Sequence, residues 1–349
     1  MMRIAYLQNT PTTRIGAGAA VHVAQVANRL LARGHTLFSN LQGEGDHLLQ
    51  LAAADWPARG REIDAYYVRI HGTKSNDRFT LARRANPQAP CVWEVNAPLD
   101  ERRLSGVGGL RLWRHKRRRR MLARLVTGAI CISDEMQDYA RRELEIANTV
   151  VVPNGSDPDV FSPARRDPSL YPEGKLVVIW AGSSEYPWQG LPLVEELASH
   201  LAAEPDLHFV VTAAGRSRAN LTYLGALPYH AMPVHLASAD IGLCVYQPIT
   251  FYPRFYFSPL KLYDYMASGL AVIGTQAGQV GDVLRTERCG LTTDGSLADV
   301  SAKLQQLNVQ RRSIAELGAR GRAAVVRHYH WDRVVDQIEQ FLQSLLARR

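Results

Sequence analysis

The chain has 349 residues, 46% of them hydrophobic, enough for one large or two ordinary α/β domains with real cores. No apolar run approaches the roughly 20 residues of a membrane span, and Met1-Met-Arg-Ile-Ala-Tyr-Leu-Gln8 lacks the basic-then-apolar order of a secretory leader. The net charge is +8, and most of the surplus lies between Arg102 and Arg124, where no acid occurs, so the imbalance is a local device and not a general property of the surface.

In chain order, residues 2–8 predict a first buried strand. The loop 10–20 is rich in small residues. Val21, Val23, Val26, Ala27, Leu30 and Leu31 then give a helix one apolar side, which Gly34-His35 stops. Gly16 and Gly18 let a backbone approach a phosphate, but the long loop and the missing third glycine speak against a dinucleotide site. His22 on that helix reads as structural. Residues 40–62 are polar and irregular. Residues 63–68 and 90–98 read as strands, and Glu94 and Asp100 are the carboxylates nearest a strand's carboxyl end, where α/β sites collect.

The basic block follows. Leu110, Leu112, Trp113, Met121, Leu122 and Leu125 are interleaved with its arginines, so the segment is amphipathic as well as cationic and suits an anionic lipid surface, the plainer alternative being a solvated helix face. Stacking aromatics and a recognised nucleic-acid fold are missing, so nucleic acid is not expected. Residues 126–133 predict a strand and 134–144 a helix. The segment 149–163 contains Asp157-x-Asp159, a pair that can chelate a metal elsewhere; set among turn residues, it reads here as a turn. A polar linker spans 164–174. Cys91, Cys131, Cys244 and Cys289 each lie in or beside an apolar segment and form no Cys-x-x-Cys, which predicts buried free thiols in a reducing compartment.

The second half restarts the alternation, with strands at 176–182 and 207–212, a third within 236–246, and an amphipathic helix after the loop 183–190. The stretch the chain is organised around is Phe255-Tyr-Phe-Ser-Pro-Leu-Lys-Leu-Tyr-Asp-Tyr-Met-Ala-Ser-Gly269. Ser258 as N-cap and Pro259 at N1 predict a helix start, and Gly269 a left-handed stop before a short apolar strand. Lys261 and Asp264, three residues apart, are expected on one face: a lysine near a helix N-terminus attracts phosphate, and a carboxylate one turn on can accept two ribose hydroxyls. Trp331 to Leu346 predict a long amphipathic helix.

These fifteen residues resemble the nucleotide-binding helix of retaining GT-B glycosyltransferases of family 4, in the subgroup written roughly Phe-Tyr-Phe-Ser-Pro-x-Lys-x-(Phe/Tyr)-Glu-Tyr-Met-Ala-x-Gly. Pro153-Asn-Gly-Ser-Asp157 with Phe161-Ser-Pro163, the Glu94-Val-Asn-Ala-Pro98 strand end and the elements 277–291 extend the match. Residues 16–22 are similar to the family's Gly-Gly-Ala-Glu-x-His opening. Three departures stand out. Gln189 replaces a lysine that relatives place on the donor diphosphate, Tyr256 replaces an acid, and Asp264 replaces a glutamate.

The resemblance implies an α/β GT-B fold with two Rossmann-like domains facing across a cleft. Residues 1–163 would form the acceptor side and 164–330 the donor side, with the helix at 331–349 packing back on the first domain. The implied activity moves a sugar from a nucleoside-diphosphate sugar to an acceptor hydroxyl with retention, in cell-surface polysaccharide or glycolipid synthesis, without cofactor or metal. Lys261 and Arg254 would neutralise the departing diphosphate, with Glu94 and Asp100 nearby. Asp264 would hold the ribose, and Gly16, Gly18, Ser258, Tyr256, Gln189 and Asn96 would line the donor. Arg114, Arg117, Arg118, Arg119 and Arg120 would face a lipid-linked or anionic saccharide acceptor at a membrane, which places the protein in the cytoplasm or on the inner face of the plasma membrane. A sugar-nucleotide epimerase of the same fold and a non-catalytic nucleotide-sugar-binding partner share these features.

Overall fold

The computed structural model describes residues 1–8, 18–39, 48–50, 56–72, 76–250, 252 and 254–348. It divides into two compact units: Met1–Pro153 with Arg254–Phe257 and Trp331–Arg349, and Asn154–Pro253 with Ser258–His330.

The first unit runs β1 (Arg3–Leu7), α1 (Gly18–Ala32), β2 (Thr36–Ser39), β3 (Leu48–Gln50), α2 (Trp56–Arg59), β4 (Ala65–Ile70), β5 (Cys91–Val95), α3 (Gly109–Ala123), β6 (Gly128–Cys131), α4 (Asp134–Glu143) and β7 (Thr149–Val151). Its strands pair in parallel in the order β3-β2-β1-β4-β5-β6-β7. Ala65-Tyr-Tyr-Val-Arg-Ile70 is buried throughout, as a parallel strand covered on both faces must be. Ile4 of β1 pairs with Leu37 on one side and Ala65 on the other. β2 and β3 were not legible: they are four and three residues long and flank a polar stretch. The strand expected from residue 63 begins at Ala65, because the Arg3 N–H takes the Asp64 carboxylate and Asp64 N–H bonds the Arg3 carbonyl.

The second unit runs β8 (Leu176–Trp180), α5 (Leu191–His200), β9 (Leu207–Val211), β10 (Leu221–Tyr223), α6 (Met232–Ala237), β11 (Ile241–Cys244), α7 (Leu260–Ala267), β12 (Ala271–Thr275), α8 (Gly278–Glu287), β13 (Gly290–Thr293), α9 (Leu297–Val309) and α10 (Arg311–Ala324). The parallel order is β10-β9-β8-β11-β12-β13. Trp180, Phe209, Leu243 and Ile273 from the strands pack with Val194 and Leu197 of α5 and Val300 and Leu304 of α9. Each sheet winds to one edge and then returns to the strand it began on, β4 beside β1 and β11 beside β8. At such a reversal the connections leave opposite faces, and a crevice opens at the carboxyl ends of the two strands.

The last helix, α11 (Trp331–Leu346), packs in the first unit. Trp331, Val334, Val335, Ile338, Leu342 and Leu345 form its buried stripe. Trp331 meets the edge of His22 at 5.4 Å, while Asp332 holds Arg29 of α1 and Asp336 holds Arg33 just past its end, each at 2.8 Å. No helix of the described residues is long and apolar enough to cross a membrane. All four cysteines are buried free thiols, and burial pushes each up to about 12.

Candidate functional site

The reversal between β8 and β11 sets Trp180 and Tyr246 at neighbouring strand ends, and α7 sends Lys261 between them. Its ammonium lies 4.7 Å from the Trp180 ring and 5.0 Å from the Tyr246 ring. The nitrogen is shielded from solvent and has no hydrogen-bond partner among the described residues. Burial lowers its pKa to about 8, with Cys244 opposing slightly. Ring faces attract a cation but do not neutralise it. A buried charge of this kind is costly until an anion arrives. Around it, Trp180 Nε1 donates to the Gln189 carbonyl at 2.8 Å, and the Gln189 side-chain oxygen accepts the Ser183 N–H at 3.1 Å. Gln189 therefore shapes the loop after β8 through that oxygen, where the sequence placed it in the donor lining.

Two expectations for α7 are corrected. Ser258 is not the N-cap: the helix starts at Leu260, and Pro259, extended at φ −75° and ψ 130°, caps it without a side-chain bond. Ser258 Oγ instead accepts the Asn154 N–H at 3.1 Å and bonds Tyr263 OH at 2.9 Å. The stop is as expected, with Gly269 at φ +79° and Leu270 N–H bonded to the Tyr265 carbonyl. Asp264, expected on one face with Lys261 and on the ribose, is 5% exposed: it accepts Ser156 Oγ–H at 2.6 Å and Tyr229 O–H at 3.3 Å. Burial raises its pKa to about 7 against the pull of those two hydroxyls. It ties the start of the second unit to α7, and both of its neighbours are protein groups.

The remaining predicted residues lie in the first unit. Glu94, at the end of β5, is fully buried and accepts from Tyr67 OH at 2.7 Å, Asn96 Nδ2 at 2.9 Å and the Arg69 guanidinium; His22 Nε2 lies 2.8 Å away. Burial alone would raise its pKa, but the Arg69 charge, then His22 and Tyr67, overcome that and hold it below the usual carboxylate range. Glu94, Asn96 and His22 are thus one internal network. Asp100 sits in a 3-10 turn, Leu99–Ser105, and pairs with Lys116 at 2.7 Å. Arg254 belongs to the first unit, where it pairs with Asp138 at 2.7 Å. Tyr256 lies there too, its ring edge-on to Tyr139 and its carbonyl accepting Ser133 Oγ–H. Gly18 is the exposed first residue of α1, and Gly16 lies outside the described residues.

The basic block is helix α3, and the structure divides it. Arg119 is fully buried, not on the surface: its Nε lies 3.4 Å from Asp77 and its Nη2 donates to the His71 carbonyl at 2.7 Å. Arg118 shares Asp77 at 3.2 Å, and Arg120 is taken by Glu143 at 2.6 Å. Arg114 and Arg117 face solvent beside exposed Leu110 (62%), Trp113 (54%) and Met121 (60%), with Arg117 stacked over Trp113. In the second unit, Asp157, Asp159 and His330 bring ligand atoms within 4.8 Å of one another. Asp157 also accepts the N–H groups of Asp159 and Val160, which is the turn expected there.

Comparison with known proteins sets this geometry in context. Residues 192–340 match a family model described as glycosyl transferase-like. The chain is 26% identical over 240 residues to the phosphatidyl-myo-inositol mannosyltransferase of Mycobacterium tuberculosis, over 63% of this chain and 60% of that protein. The match thus spans less than two thirds of that relative. Among solved structures, sucrose-phosphate synthase from Thermosynechococcus elongatus superposes with a TM-score of 0.72 at 15% identity, over all of both chains. Anabaena HepE, solved with UDP and glucose, gives 0.71 at 17% identity over 99% of this chain and 100% of that one. The fold is that of GT-B glycosyltransferases, and the resemblance to the family 4 type read from the sequence is borne out.

Proposed function

We propose that the protein transfers a sugar, with retention, from a nucleoside-diphosphate sugar to a hydroxyl of a lipid-linked or anionic acceptor. The observation that carries this reading is Lys261, a buried ammonium at the β8–β11 reversal with no hydrogen-bond partner among the described residues. A departing diphosphate accumulates negative charge in the transition state, and a preorganised cation there stabilises it more than it stabilises the ground state. No metal is needed in this account, because Lys261 supplies the positive charge. The mannosyltransferase relative, whose printed acceptor is phosphatidyl-myo-inositol, favours a glycolipid acceptor. Arg114, Arg117, Trp113, Leu110 and Met121 on α3 suit a peripheral enzyme on an anionic membrane surface, at its cytoplasmic face.

The test is turnover with UDP-, GDP- and ADP-sugars, with and without acceptor, the product anomer being assigned by NMR. Transfer or slow donor hydrolysis supports the reading. Conversion of the donor sugar alone would indicate an epimerase, and binding without turnover a non-catalytic partner; either result refutes it.

A further inference from the structure

Asp157 and Asp159 stand on the segment by which the chain enters the second unit, and His330 is the residue at which it leaves. They are far apart in sequence, and backbone pairing brings them together. Ser156 N–H bonds the Tyr329 carbonyl at 2.9 Å, and Ser156 and His330 form a parallel bridge. Both sides are braced. Asp157 Oδ1 accepts the Asp159 and Val160 N–H groups, and buried Phe161 packs on Tyr229 at 5.3 Å. Arg322 donates to the Pro158 and Phe161 carbonyls of that turn at 3.2 and 3.0 Å. On the other side a π-helical turn, Val325–Tyr329, runs directly into His330, and its Tyr329 packs on Tyr263 at 5.1 Å. Such turns shift the register of a helix and are frequent at functional sites.

One oxygen from each carboxylate and one ring nitrogen of His330 therefore lie within 4.8 Å of one another. Three atoms so placed all fall within about 2.8 Å of a common point, and side-chain adjustments of less than about 1 Å bring them to the roughly 2.0–2.2 Å of Zn–N and Zn–O bonds. The imidazole separates this set from a merely acidic surface. Mg²⁺ and Ca²⁺ take oxygen ligands, whereas a mixed nitrogen and oxygen set suits Zn²⁺ and its transition-metal neighbours. Asp157 and His330 also engage other groups, and further contacts of that kind orient a metal ligand. Asp159 is exposed and the other two are half-buried, so water can fill the remaining positions. We propose that Asp157, Asp159 and His330 bind a divalent cation of the zinc class, completed by water, as a clamp between the entry and exit segments of the second unit. The proposal does not rest on the transferase reading: the clamp is structural and adds no step to the reaction.

The test uses the full chain without an affinity tag, stripped with chelator and then dialysed against Zn²⁺, Co²⁺, Mg²⁺ or Ca²⁺. One Zn²⁺ per chain should bind, and Co²⁺ should compete for the same site and give a visible absorption band. Mg²⁺ and Ca²⁺ at equal concentration should not displace either. Zn²⁺ at about a hundredfold over its Kd should raise the melting temperature by about 3 °C or more. His330→Gln removes the nitrogen, and Asp159→Asn removes an exposed carboxylate while leaving the Asp157 hydrogen bonds in place. Each should weaken Zn²⁺ binding by about tenfold or more, and His200→Gln, at an exposed position elsewhere in the unit, should not. If His330→Gln melts lower than wild type without metal, Asp159→Asn decides, because its side chain is exposed. Absence of stoichiometric Zn²⁺, affinity unchanged in Asp159→Asn, or bound Zn²⁺ that leaves the melt unmoved overturns the proposal and reduces the three residues to a turn beside a histidine. Preference for Mg²⁺ or Ca²⁺ over Zn²⁺ overturns it as well.

Discussion

Lys261→Met is the most informative single substitution, because the structure gives its two effects opposite signs. Methionine keeps an unbranched side chain, one atom shorter, between Trp180 and Tyr246 and removes the charge. The ammonium titrates at about 8 in the folded protein against 10.5 when exposed. At about 1.4 kcal/mol per pH unit, burying the charge costs the free protein on the order of 3 kcal/mol. The two ring faces offset part of that cost, so about 3 kcal/mol is its upper bound. The variant should therefore melt about 2–4 °C higher near neutral pH. It should also lose at least about tenfold in kcat/KM, since one charge-assisted contact to the diphosphate is worth over about 1.4 kcal/mol. The folded pKa is depressed, so its stability contribution is present above the unfolded value and is lost as pH falls through the folded one. Wild type should gain stability between about pH 8 and 10.5, and Lys261→Met should not. Wild-type kcat/KM should in turn decline above about pH 8 as the free enzyme loses the charge. Calorimetric melts across pH, beside donor turnover at saturating acceptor, check all three. A variant that melts lower and turns over normally would refute the assignment.

Asp264 has a folded pKa of about 7, raised from 3.8, so it stabilises below the unfolded value and that contribution is lost as pH rises through 7. Urea unfolding at pH 4 and pH 8 should show the advantage of wild type over Asp264→Asn shrinking by about 4 kcal/mol, and parallel curves would exclude the role. Arg119→Gln leaves buried Asp77 short of a partner and should cost about 3 kcal/mol or more, whereas Arg117→Gln should stay within about 0.5 kcal/mol. Arg114→Gln with Arg117→Gln should weaken binding to phosphatidylglycerol vesicles by about tenfold or more, with no change on phosphatidylcholine, at about 1 kcal/mol per basic residue; equal sedimentation of variant and wild type would show that this face is only solvated.

What was legible followed from local rules. Short apolar runs found most of the longer strands, period-3.6 patterning found the amphipathic tail helix, and Gly269 marked the end of α7 through a left-handed conformation that other residues resist. What was not legible depends on partners far away in sequence. Arg119 reads as one arginine among four until Asp77, 42 residues earlier, comes within reach. A signal did exist: Leu112, Arg119 and Ala123 fall at i, i+7 and i+11, the buried stripe of α3, so the wheel that flagged the helix as amphipathic already placed Arg119 inside. Ser258 failed as a cap for a similar reason. A hydroxyl before proline is a sound N-cap by propensity, but Asn154 and Tyr263 claim it.

The same long-range pairing bears on the proposed donor site. Family resemblance supplied Lys261 and Arg254 as cations for the diphosphate and took one away at Gln189. In the structure Arg254 is committed to Asp138, and the Gln189 oxygen to Ser183. Of these three positions, Lys261 keeps a charge that the fold does not use. That is why it sits shielded between two rings at a cost to stability: a surface lysine would be cheaper to fold and weaker on an anion, since water would screen it. The one departure that removes a cation, Gln189, and a structure that buries Lys261 therefore point the same way. On the proposed function the charge stabilisation would be concentrated at Lys261, and arginine there should not substitute well, because a planar fork cannot occupy the space between two ring faces as a compact ammonium does.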